Sequence, residues 1–127
     1  MQESQRFVDP ETKTALHLNL SEQYLRSAAE LIAEADYVQA SEKLWGAASQ
    51  LVKAVAAKRI VDLRSHGDLN RFVAELRSET NEPEIQRLWQ IATSRHQNFY
   101  EAWLPAETVK ESVADIQRFQ ELLARLI

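Results

Sequence analysis

Apolar residues recur at helical intervals over most of this chain, and nowhere do they alternate as in a half-buried strand. Leu16, Leu20, Tyr24, Leu31 and Ala35 predict a first helix over about 11–35. Ala35-Asp36-Tyr37 breaks it, and Ala40, Leu44, Ala47, Leu51 and Val55 mark a second over about 38–62. Gly46, Ala47 and Ala48 keep that helix thin, so a neighbour can approach closely. Ser65-His66-Gly67-Asp68 reads as a turn with a capping-box spacing, opening a short third helix over about 68–78 that buries Leu69, Phe72, Val73 and Leu76. After a polar loop, Pro83 suits the first turn of a fourth helix, about 83–103, with Ile85, Leu88, Trp89, Ala92, Phe99 and Trp103 turned inward. Leu104-Pro105 separates it from a last helix, about 106–126, whose apolar face is Val109, Val113, Ile116, Phe119, Leu123 and Leu126. Four long helices and one short one, joined by short connections, predict an all-α, up-and-down antiparallel bundle. Residues 1–10 are expected to be a flexible N-terminal segment, and 11–127 a single helical-bundle domain.

Two glycines and three prolines in 127 residues agree with a helical chain, and 45% hydrophobic content is ordinary for a globular one. Cysteine is absent, which removes disulfides and thiolate metal sites. No apolar run reaches the length of a membrane span, and the opening MQESQRFVDPETK has no signal-peptide core. The expectation is a cytoplasmic protein without membrane contact. A net charge of −4 argues against non-specific nucleic-acid binding by the whole surface. The charge is uneven, however. Residues 53–77 carry Lys53, Lys58, Arg59, Arg64, Arg71 and Arg77 against Asp62, Asp68 and Glu75, whereas residues 1–52 hold eight acids against four bases.

The segment from Tyr24 to Ala47, with Asp36-Tyr37 at its turn and alanines at helical spacing beyond, resembles a tetratricopeptide helix pair. No second copy follows at that repeat's period, so the hairpin is expected and an array is not.

The chemically dense stretch is His96-Gln97-Asn98-Phe99-Tyr100-Glu101-Ala102-Trp103. On a helical wheel Trp89, Ala92, His96, Phe99 and Trp103 share a face, Arg95 and Asn98 flank it, and Tyr100 lies one turn beyond His96. Two readings stand side by side. In one, His96 is a hydrogen-bonded core histidine and Asn98 ties the helix to a loop. In the other, His96, Asn98 and Tyr100 line a cleft as an acid–base or phosphate-contacting cluster. Arg95, Glu101 and Trp103 are candidates for ligand contact or an interface.

Together with Asp36-Tyr37, Trp45 and the Ser65-His66 turn, the 96–101 hexapeptide resembles the HEPN superfamily. Within it, the chain is most similar to small stand-alone archaeal and bacterial paralogous-repeat domains carrying a His-x-Asn-Phe-Tyr-Glu segment. The resemblance spans roughly residues 20–127. It implies a four- or five-helix bundle that forms homodimers, acting either as a ribonuclease of toxin type or as a non-catalytic partner of a nucleotidyltransferase or antitoxin-type protein. The superfamily's ribonuclease signature places an arginine ahead of a histidine with four to six residues between them. Ahead of His96 those positions hold Trp89, Gln90 and Ile91. The spacing is met only by Arg59 and His66, a secondary candidate pair.

Three histidines without paired spacing offer no metal site, and no glycine-rich phosphate loop or cofactor motif occurs. The expected function is therefore a HEPN-like interaction or regulatory module, homodimeric through Gly46-Ala47-Ala48 or through Tyr100 and Trp103, in a nucleotide- or RNA-related system. The alternative is a metal-independent ribonuclease using His96 with Asn98 and Tyr100.

Overall fold

A computed structural model describes residues 8–127, of which the helices are α1 (Pro10–Ala33), α2 (Tyr37–Lys58), α3 (His66–Thr80), α4 (Pro83–Glu101) and α5 (Ala106–Ala124). Among the described residues there is no strand. None of these helices is long and apolar enough to cross a membrane. The all-α bundle read from the periodicity is the observed architecture. Of the flexible segment expected at 1–10, residues 1–7 lie outside the described part. Asp9 already caps α1 through the amide of Thr12, and Pro10 is its first residue.

Helix α2 is the axis of the bundle and packs against all four others. It therefore buries residues on more than one face, from Ala40 and Leu44 through Trp45, Leu51 and Val52 to Val55. Its closest companion is α1, and their contact corrects the expected α1 stripe. Leu16 is 52% exposed, and Ala35 is not in the helix at all. The residues buried on α1 are Thr14, Ser21 and Ala28, spaced by sevens. They face Ala54, Ala47 and Ala40, spaced by sevens in the opposite direction. Ser21 Oγ donates to the Ala47 carbonyl at 2.8 Å, and Thr14 Oγ1 reaches the Ala54 carbonyl at 3.4 Å. Small side chains on both helices let the backbones come close enough for a hydroxyl to bond a neighbouring helix's carbonyl. The leucines of α1 flank this seam instead of forming it. Ala47 and Ala48 are thereby buried inside the protomer, and the Tyr24 ring covers Gly46 so closely that a Cβ there would lie 3.0 Å from it. The thin patch expected as a dimer seam is already occupied by α1.

Helix ends differ from expectation for identifiable reasons. Helix α2 stops at Lys58 because Ile60 turns left-handed (φ 59°), with Ile60 N bonding Ala57 O and Val61 N bonding Ala56 O. This is a Schellman closure made without glycine. The connection to α3 is consequently longer than the pattern suggested. Ser65 caps the amide of Asp68 at 3.0 Å as expected, but His66 is already helical, and α3 runs for 15 residues to Thr80. The third helix is not short. Helix α4 ends at Glu101, where Ala102 (φ 52°) reverses the chain and takes Trp103 off the buried face.

Candidate functional site

Three helices deliver side chains to one place. Helix α2 contributes Glu42 and Trp45, one turn apart; the first turn of α3 contributes His66; α4 contributes His96 and Tyr100, also one turn apart. The His96 Nδ1 lies 2.8 Å from Glu42 Oε1. With Glu42 as a carboxylate, which only accepts, Nδ1 is the donor. No described residue bonds Nε2, and the side chain is 20% exposed, so that nitrogen is the one available to a proton or ligand. The Trp45 ring stacks on the His96 ring at 5.0 Å between centroids. His66 stands perpendicular to His96 at 5.2 Å and edge-on to Trp45 at 5.3 Å. The Tyr100 ring closes the group from the outer side, 5.3 Å from His96.

The aromatic contacts continue into the core and fix this group in place. Trp45 leans on Trp89 at 5.0 Å, Trp89 packs on Phe119 at 6.2 Å, and the Trp89 indole donates to Asn70 at 2.7 Å. The imidazoles therefore rest on a rigid stack anchored in α2, α4 and α5. Beside them a cleft of about 410 Å³ opens between α1, α2 and the start of α3. Glu42, Trp45 and His66 form one wall, and Lys43, Lys53 and Arg64 bring cationic groups to it. Lys43 sits 5.2 Å over the Tyr24 ring, and Arg64 pairs with Asp62 at 2.7 Å. Among the described residues no three metal-ligating side chains converge to hold an ion.

The remaining sequence candidates have other positions. Asn98 is 1% exposed and fully engaged: its amide donates to Ser41 at 2.9 Å, and its oxygen accepts from the Trp103 and Leu104 amides at 2.8 and 2.7 Å. It does not face the cleft beside His96 and Tyr100. Arg95 is buried between α4 and α5, bonding Ser112 and Ser94. Burial lowers its pKa, with Asp115 opposing the shift. It is a bolt between two helices and offers no surface to a partner. Arg59 forms a bidentate pair with Glu79 at 2.7 and 2.6 Å, which lowers the Glu79 pKa. That pairing turns Arg59 toward the far end of α3, and no contact joins it to His66. Glu101 is exposed, Tyr100 is 72% exposed and Trp103 51%.

Sequence reasoning did not assign Glu42 a role and did not pair His66 with His96. The first is one of many acids on a helix, and the two histidines are 30 positions apart. The one signal available was that Glu42 and Trp45 share a face of α2 one turn apart.

Fold and site define a small helical bundle with a histidine pair, one imidazole held by a carboxylate, beside a cationic cleft. The chain belongs to the archaeal PaREP1/PaREP8 family, whose model matches residues 16–120 and so includes Glu42, His66 and His96. It is similar to a protein from Sulfolobus solfataricus of known crystal structure, with 26% identity over 84% of this chain and 95% of that one, at a TM-score of 0.74. No curated protein matches it.

Proposed function

We propose that the protein is a HEPN-like, cytoplasmic domain that binds an RNA phosphodiester in the cleft beside Trp45 and cleaves it without a metal. The observation that carries this reading is the His66–His96 pair, perpendicular and 5.2 Å apart, with His96 held by Glu42. A carboxylate behind one imidazole nitrogen orients the ring and stabilises the charge it gains as a base. His96 Nε2 takes the proton of a ribose 2′-hydroxyl, and the freed oxygen forms a bond to phosphorus. The bond from phosphorus to the 5′-oxygen breaks with its electron pair on that oxygen, which takes a proton from His66. The products are a 2′,3′-cyclic phosphate and a 5′-hydroxyl. Lys43 and Arg64 offset the charge on the phosphate. This assignment replaces the His96, Asn98 and Tyr100 set, because Asn98 is consumed by the α4–α5 turn.

The test is RNA degradation in the presence of a chelator. Wild type is expected to degrade RNA, and His96→Ala and His66→Ala each to lower the rate about 100-fold or more. Glu42→Gln, which acts through His96, is expected to lower the rate less and to shift its pH profile. Equal RNA stability with wild type and both histidine variants would overturn the reading.

A second reading is favoured by one observation. Tyr100 and Trp103 expose large aromatic surface at the same end of α4, as a homodimer seam or a docking face for a nucleotidyltransferase or antitoxin-type partner requires. On this reading the protein is a regulatory module without catalysis. Light scattering after size exclusion tests the dimer, and a monomer at high concentration counts against it.

A further inference from the structure

The histidine pair occupies one end of a longer groove. The cleft at His66 adjoins a second compartment of about 220 Å³, with Lys53 and Leu63 lining both. That compartment in turn joins a third of about 370 Å³ through Lys13, Ala57, Val61 and Asp62. The walls are one face of α1, one face of α2 and the connection 59–65. From Lys13 to Tyr24 the α1 wall alone is about 16 Å long at the helical rise per residue.

Cations outnumber carboxylates along the groove. Four cations, Lys13, Lys43, Lys53 and Arg64, line a groove that holds two carboxylates, Glu42 and Asp62. Both carboxylates are engaged, Glu42 with His96 and Asp62 with Arg64. Among the described residues Lys13, Lys43 and Lys53 have no carboxylate within ion-pair distance, whereas Lys110 pairs with Glu107. Two of the three histidines line the groove, His66 at one end and His17 further along, with His17 bonded to Gln50 at 2.6 Å, while His96 packs behind His66. On a chain of net charge −4, a lane of three unpaired lysines concentrates positive potential in one place. At the far end the lining turns apolar, with Ile60 80% exposed and Val61 41% exposed.

We infer that the middle and outer compartments are a binding lane for a single-stranded oligonucleotide, with Lys53 and Lys13 receiving successive phosphates leading away from the histidine pair. The ligand is a strand and not a mononucleotide, because Lys43 and Lys53 stand about 15 Å apart along α2 and Lys13 lines the further compartments, a spread that a single phosphate does not meet. Ile60 and Val61 give base faces an apolar surface where the lane ends. This lane rests on the proposed RNA chemistry for its polarity, but its lysines bind independently of cleavage.

The experiment is fluorescence anisotropy with labelled 2′-O-methyl oligoribonucleotides, a dinucleotide and a strand of about ten nucleotides, which cannot be cleaved by 2′-oxygen attack. The longer strand is expected to bind at least about tenfold more tightly than the dinucleotide, with affinity falling as salt rises. Lys13→Glu combined with Lys53→Gln is expected to lower affinity for the longer strand about tenfold or more, and Lys13→Glu alone, outside the histidine cleft, to leave the dinucleotide little changed. Thermal melting of the double variant shows that it is folded, and Lys13→Glu alone, at an exposed position, repeats the direction of the effect. Equal affinity for both lengths, or unchanged binding by the lysine variants, overturns the lane. If the lane fails while His96→Ala abolishes cleavage, the acid–base site stands alone. If the lysines govern binding but no RNA is cleaved, the lane stands and the catalytic reading falls.

Discussion

Replacing Asn98 by alanine removes three hydrogen bonds from one buried position. Ser41 Oγ loses the donated side-chain N–H, and the backbone amides of Trp103 and Leu104 lose their acceptor. A neutral hydrogen bond contributes about 1 kcal/mol net, and a buried group left without a partner costs about 1–3 kcal/mol. The Trp103 amide lies beside an exposed side chain, so water replaces part of that loss, whereas Ser41 is fully buried. The expected destabilisation is about 2–3 kcal/mol. For a chain of this length that corresponds to a Tm lower by roughly 8–12 °C. Ser41→Ala removes the Asn98 contact and its own bond to the Tyr37 carbonyl while sparing the α4–α5 turn, so it should cost about half as much. Differential scanning calorimetry on the three proteins measures both shifts. The reasoning is refuted if Asn98→Ala melts with wild type, and doubly so if it has also lost RNA cleavage. That pair of results would make Asn98 part of the chemistry and not a brace for the turn.

Two further outcomes follow from the same geometry. Ile60 is a β-branched residue in the left-handed region, where such side chains cost about 1–2 kcal/mol. Ile60→Gly should therefore raise stability by about 1 kcal/mol in urea titration while weakening the longer strand's binding, and a fall in stability would remove the strain argument. The carboxyls of Asp68 and Glu79 lie below their ordinary values of 3.8 and 4.5, Asp68 chiefly through the Arg64 backbone amide and Glu79 through the Arg59 side chain. Their contribution is complete above those ordinary values and is lost as pH falls through the lowered folded ones, so urea midpoints should hold from neutrality to about pH 5 and decline in stronger acid. A midpoint that rises on acidification would contradict it.

The helices were legible because each carries its own punctuation. Asp9, Asp36 and Ser65 each accept from an amide three residues on, and Pro83 stands at the first helical position. What misled the reading of α1 was the assumption that large apolar residues mark the contact line. In a close antiparallel pair the opposite holds, because the line of nearest approach admits only small residues. Thr14 and Ser21 read as polar in a hydropathy pattern, yet their hydroxyls are satisfied by carbonyls of α1 and α2. Helix ends were missed where a residue other than glycine took the left-handed turn, at Ile60 and Ala102, since neither type announces it.

The hexapeptide at 96–101 combined residues with different tasks, and its compactness in sequence hid that. Neighbours on a helix point about 100° apart, so His96 and Tyr100 pack toward Trp45 and His66 beside the cleft while Asn98 and Arg95 face the interior. The residues that complete the site come instead from positions 42, 45 and 66, brought together by the packing of α3 and α4 on α2. A missing arginine before His96 weighs against cleavage only if the charge on the phosphate must be met from α4. Here the cations at the cleft are Lys43, Lys53 and Arg64, from α2 and the connection that follows it. Those three positions, and not the linear spacing ahead of His96, are where the electrostatic part of the mechanism has to be tested.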